Sequence, residues 1–204
     1  MTLPLVVAIT GASGALYATR LLEVLVSAGR DVHLVISPSG SLVLKQELDI
    51  EVDLQDFSAG RLLGEAQIDS ESSECRPGKL TYHHFDDFMA PIASGSFLTE
   101  GMVVCPCSGS TLSAVAHGAS NNLIHRAAEV HLKEKRRLIV VPRETPLSIG
   151  QLDNMKRACE LGAVVLPAMP GWYHGVSRLQ DLVDFIVARI LDQLGMSHSL
   201  MRRW

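Results

Sequence analysis

The chain is read as an α/β protein on a doubly wound, mainly parallel sheet. Two observations predict that class: short apolar runs alternate with amphipathic helical stretches, and each run stops abruptly at glycine, serine or proline. Length is a third, because 204 residues suit one core-forming unit, and residues 1–204 are expected to make a single domain. Such a sheet is Rossmann-like or flavodoxin-like in organisation.

The first apolar run, residues 3–9, is closed by Thr10-Gly-Ala-Ser-Gly14. Residues 15–27 then place Leu21, Leu22 and Leu25 on one helical face. Gly29 ends that helix, and a second apolar run at 32–36 stops at Ser37-Pro38. Runs without polar alternation are strands buried on both faces, so the opening is a βαβ unit with a right-handed crossover. Further runs at 102–105, 138–141 and 164–166 are closed by Pro106, Pro142 and Pro167, giving five core strands. Helical spacing fills 111–117, 123–135, 150–161 and 179–194. Between 48 and 79 the periodicity weakens and acidic and small polar residues gather at 69–74, an excursion with a short extra strand expected at 79–83.

Composition narrows the function classes. A 47% hydrophobic, 20% charged and 5% aromatic chain is globular, and a net charge of −4 supplies no field for nucleic acid. Lys133 to Arg137 form a local basic cluster in which Lys135, Arg136 and Arg137 read as a solvated helix face. The first ten residues lack a basic leader, and no apolar run approaches the roughly 20 residues of a membrane span. Neither membrane nor secretion is expected, so the location is cytoplasmic. Cys75, Cys105, Cys107 and Cys159 do not suggest a disulfide framework, and His83, His84 and His174 lack ligand spacing, so no metal is expected.

In an open parallel sheet ligands bind beyond the carboxyl ends of the strands, where helix N-termini favour anions. Here those ends carry Gly11-Ala12-Ser13-Gly14, Ser37-Pro38-Ser39, Ser108-Gly109-Ser110-Thr111 and Arg143-Glu144-Thr145. Small hydroxyl residues admit a phosphate closely, although each serine could equally cap a helix. Neither G-x-G-x-x-G nor a Walker A sequence is present, which argues against NAD and nucleoside triphosphates. An arginine after a buried strand can clamp an anion and the adjacent carboxylate can move protons; a surface ion pair is the alternative.

Six segments then occur in order: Thr-Gly-Ala-Ser-Gly-Ala at 10–15, Ile-Ala-Ser-Gly-Ser-Phe at 92–97, Pro-Cys-Ser-x-x-Thr at 106–111, Arg126-Ala-Ala-Glu-Val-x-Leu-Lys133-Glu, Arg143-Glu-Thr-Pro-Leu, and Trp-Tyr-His at 172–174. Together they resemble the UbiX family of flavin prenyltransferases. The resemblance implies transfer of a dimethylallyl group from dimethylallyl phosphate to N5 and C6 of reduced FMN, without metal. The prenylated FMN would serve a UbiD-type decarboxylase, and the chain would assemble as a dodecamer. It further implies FMN contacts from Gly11, Ala12, Ser13, Ser37, Ser108, Gly109, Ser110, Thr111 and Arg143. Dimethylallyl phosphate would meet Arg126, Lys133, Arg143, Tyr173 and Arg189, with Glu144 and Ser13 handling protons and Trp204 covering a neighbouring subunit's site. The rival readings are an FMN-dependent cysteine decarboxylase of the same superfamily and a non-catalytic flavin carrier. The first of these carries a Pro-Ala-Ser-Ala-Asn-Thr-like loop where this chain has Pro-Cys-Ser-Gly-Ser-Thr.

Overall fold

In the computed structural model, residues 2–64 and 76–202 are described; the acidic tract at 69–74, Cys75 and Trp204 lie outside them. Six strands form one parallel sheet: β1 (Leu5–Ile9), β2 (Val32–Ile36), β3 (Leu80–His83), β4 (Gly101–Cys107), β5 (Arg137–Pro142) and β6 (Val164–Val165). Their order is β3-β2-β1-β4-β5-β6. The order reverses direction between β1 and β4, which opens a crevice beyond their carboxyl ends. The extra strand at the end of the excursion is real and pairs with β2, so the core has six strands rather than five.

Alternation along the strands explains the two-layer core. Leu5, Val7 and Ile9 face one side with Val103 and Ile139, while Val6 and Ala8 face the other with Met102 and Val104. The first side is covered by α1 (Ala15–Ser27), α2 (Pro38–Leu48), α3 (Ala59–Leu63) and α7 (Leu179–Leu194). The second is covered by α4 (Gly109–His117), α5 (Leu123–Lys133) and α6 (Ile149–Glu160). Every residue of β1 is fully buried, each large aliphatic side chain contributing roughly 1.5–3 kcal/mol, so the strand that carries the glycine loop is firmly held.

Helix α2 departs from the sequence reading, which assigned no helical spacing to residues 38–48. The Ser37 hydroxyl accepts from the Gly40 N–H at 3.0 Å and Pro38 occupies the first helical turn, where its missing N–H costs nothing. Arg136 also departs from its solvated reading: half-buried, it donates to the carbonyls of Gly95 and Phe97. Arg137 stays exposed, but as the first residue of β5 rather than on a helix, and donates to the Gln193 carbonyl after the left-handed turn at Lys135 (φ 55°).

Candidate active site

Thr10 stitches the crevice together. Its buried hydroxyl donates to the Pro106 carbonyl at 2.7 Å and accepts the Ser108 N–H at 2.8 Å, locking the end of β1 to the end of β4. Beyond it, a Cβ at Gly11 would collide with the Cβ of Ser39, so the first and second strand loops can touch only through glycine. Gly14 lies at φ 122°, a conformation glycine alone adopts readily.

Helix α4 begins at this crevice. Ser108 caps it, its hydroxyl accepting from the Thr111 N–H at 3.3 Å and lying 3.0 Å from the Thr111 hydroxyl and 3.1 Å from that of Ser110. The capping alternative therefore holds for Ser37 and Ser108 alike. Capping consumes one acceptor lone pair, so it leaves the helix-start dipole and the neighbouring hydroxyls to an anion. A Cβ at Gly109 would meet only the Gln151 amide nitrogen, at 3.3 Å, which keeps the first turn open to a phosphate.

Arg143, Ser13 and Glu47 come together at the start of α1. Arg143 Nε donates to the Ser13 carbonyl at 3.2 Å. Glu47, from α2, accepts the N–H groups of Gly14 at 2.9 Å and Ala15 at 2.8 Å. Burial pushes the Glu47 carboxyl up, but hydrogen bonds from Ser13, Gly14 and Ala15 and the charge of Arg143 outweigh it and hold the carboxyl below its ordinary value. Glu47 thus fills the N-terminus of α1 and leaves that of α4 open. Sequence reasoning missed Glu47 because no local motif marks it: it sits in the last turn of α2, 34 positions from Ser13. Glu144 is held above α6, accepting from Gln151 Nε2 at 3.2 Å and from the Thr145 N–H at 3.2 Å.

Tyr173 lies in the loop after β6, and Arg189 lies on α7 one turn before Gln193, whose carbonyl accepts from Arg137 at the start of β5. Trp172 and Tyr173 are 71% and 61% exposed, which leaves them on the surface of the loop rather than in the core. The Tyr173 ring meets Phe185 edge-on at 5.9 Å, and Phe185 and Arg189 line a cleft of ≈ 290 Å³ beside Val164 to Pro167.

Arg126 and Lys133 are not brought to the crevice. Seven residues apart, they share one face of α5 and both meet the 93–97 segment. Arg126 Nε donates to the Ala93 carbonyl at 3.1 Å, and Lys133 lies beside Gly95 while pairing with Glu134 at 2.6 Å. Lys133 closes α5 four residues before β5 starts, which puts it at the opposite end of the sheet from Arg143, just past the end of β5. Beside it the hydroxyls of Ser94 and Ser96 are 2.9 Å apart. Among the described residues no group of three or more His, Cys, Asp or Glu could hold a metal ion, and no helix is long and apolar enough to cross a membrane.

The family model named Flavoprotein matches residues 2–191. A flavin prenyltransferase UbiX of Pseudomonas aeruginosa is 48% identical over 97% of this chain and 91% of that protein. A structure of AnUbiX (PadA1) in complex with FMN and dimethylallyl pyrophosphate is 36% identical, covers 100% of this chain and 98% of its own, and superposes with a TM-score of 0.85. A dodecameric FMN-dependent UbiX-like decarboxylase from Escherichia coli O157:H7 is 36% identical over 98% of both chains, with a TM-score of 0.82.

Proposed function

The chain belongs to the UbiX family of flavin prenyltransferases, and we propose how its residues divide that reaction between two copies of the chain. The observation that carries the proposal is the meeting of Ser13, Glu47 and Arg143 at the start of α1, which leaves the hydroxyl-capped start of α4 open. The residues fit FMN: α4 offers an open helix start with Ser108, Ser110 and Thr111 for its phosphate. Gly11, Ala12, Ser13 and Ser37 would hold FMN from the side where two loops approach within contact, together with Arg143.

When bound and reduced, FMN supplies the nucleophilic N5 and C6 that accept the dimethylallyl group. The chain's own part is electrostatic. Ionising an allylic phosphate develops negative charge on the leaving group, which Arg143, Arg189 and the Tyr173 hydroxyl take. Arg126 and Lys133 supply the remaining charge from a neighbouring copy, since within one chain Lys133 stands at the far end of the sheet. These cations do the work that a metal ion does elsewhere. Glu144, beside the departing phosphate, handles its proton; Ser13 and Glu47, joined by a hydrogen bond, receive protons on the flavin side.

A closed oligomer follows from a site built by two copies, and a dodecamer is the assembly proposed. The prenylated product goes to a UbiD-type decarboxylase. A cytoplasmic setting suits Cys105, Cys107 and Cys159, which are free thiols. Apo-decarboxylase of the UbiD type mixed with this protein, reduced FMN and dimethylallyl phosphate should gain activity. Glu144→Gln should slow that gain while FMN stays bound. No gain with the unaltered chain overturns the proposal, and loss of FMN binding in Glu144→Gln overturns the role given to Glu144.

A further inference from the structure

We propose that Asp192 and His198 are positioning residues for Arg189, fixing its guanidinium against the cleft beside β6. The proposal rests on the reading of Arg189 as a contact for the substrate phosphate. Arg189 and Asp192 are one turn apart on α7, and Arg189 donates through Nη1 to Asp192 Oδ2 at 2.7 Å. The other carboxylate oxygen, Oδ1, lies 3.1 Å from His198 Nε2. Gly195 (φ 71°) turns the chain back after α7, its N–H bonded to the Asp192 carbonyl at 3.1 Å and that of Met196 to the Leu191 carbonyl at 3.0 Å. The turn delivers His198 onto the helix with its side chain only 3% exposed.

A half-exposed Arg–Asp pair contributes little to stability, so the gain from committing a buried imidazole to it is geometric. A carboxylate held at both oxygens cannot swing. It therefore fixes the plane of the guanidinium, whose remaining donors are left for the cleft that Arg189, Phe185 and Gln193 wall on one side. The alternative is that Asp192 is merely a competing anion, and the two readings have opposite signs. Removing a competing negative charge strengthens phosphate binding; removing a positioning group weakens it.

Steady-state kinetics with dimethylallyl monophosphate and reduced FMN separate them. Asp192→Asn and His198→Phe should each raise KM about tenfold, the size of one lost charge-assisted hydrogen bond, while flavin affinity stays unchanged and reports an intact fold. His198→Gln, whose amide nitrogen can stand where Nε2 stood, should restore KM. In an Arg189→Met background Asp192→Asn should add nothing. An unchanged or lowered KM in Asp192→Asn, or the same rise in the absence of Arg189, overturns the positioning role alone. An unchanged KM in Arg189→Met overturns the reading of Arg189 on which it rests, and the positioning role with it.

Discussion

Two variants that fail separately should recover activity together. Lys133 ends α5 near the start of β5, whereas Arg143 follows the carboxyl end of that strand. The six residues of β5 rise about 3.3 Å each, so roughly 20 Å of strand separates the two ends, more than a lysine side chain spans. If one substrate phosphate needs both residues, they must come from different copies. Lys133→Ala and Arg143→Ala each remove a donor to developing negative charge and should cost about 10²–10³ in rate. Co-expressed in equal amounts and assembled at random, they leave about a quarter of the sites with both donors intact, because each half-site is drawn independently from the two chains. The assay is prenyl transfer by co-purified, differently tagged chains, normalised to total sites. Activity near a quarter of the unaltered protein is expected. Activity no greater than that of either variant alone would refute the division between copies.

Three further outcomes follow from the same geometry. Thr10→Val removes the hydroxyl that serves both Pro106 and Ser108, leaving the Ser108 N–H without its acceptor while the Pro106 carbonyl keeps the Thr10 N–H. Denaturation should show a loss of about 2 kcal/mol, and a loss under about 0.5 kcal/mol would contradict the stitch. Burial lowers the His131 pKa to about 4, against a raising contribution from the Ala127 carbonyl and a further lowering by Arg136, so the ring is neutral in the folded chain. Unfolded, it binds a proton below about 6.5, so its contribution is complete above that pH and is lost as the pH falls toward 4, by at most about 3 kcal/mol. Ring chemical shifts in NMR should show His131 neutral at pH 5; a protonated ring there would contradict its burial against Thr99, 2.9 Å away. Gly11→Ala should displace the first loop from the second and weaken FMN binding at least tenfold, since the added methyl meets Ser39. Unchanged flavin affinity would remove Gly11 from the site.

Much of the architecture was legible because burial on both faces leaves an unmistakable mark. Helix α1 and strand β2 fall where the apolar pattern puts them, and the strand-end loops carry the residues that meet in the crevice. Helix α2 was not legible, because Ser37-Pro38 is compatible both with a stop and with a capped start, and the weak apolar face of 38–48 does not decide between them. Glu47 was hidden with it: a carboxylate that binds the backbone of another element has no signature in its own neighbourhood. Arg126 and Lys133 were visible as a matching segment, but spacing along a helix says which face they share and not which end of the sheet they reach. Arg136 looked solvated because cation clusters usually are; its carbonyl partners lie some 40 residues earlier in the chain.

The most direct measurement is the mass of the flavin extracted after the purified protein is incubated anaerobically with reduced FMN and dimethylallyl phosphate in excess chelator. The account predicts a flavin heavier by one five-carbon prenyl unit, formed at the same rate with or without chelator. Unmodified flavin, or an adduct that forms only when a divalent metal is restored, would contradict it.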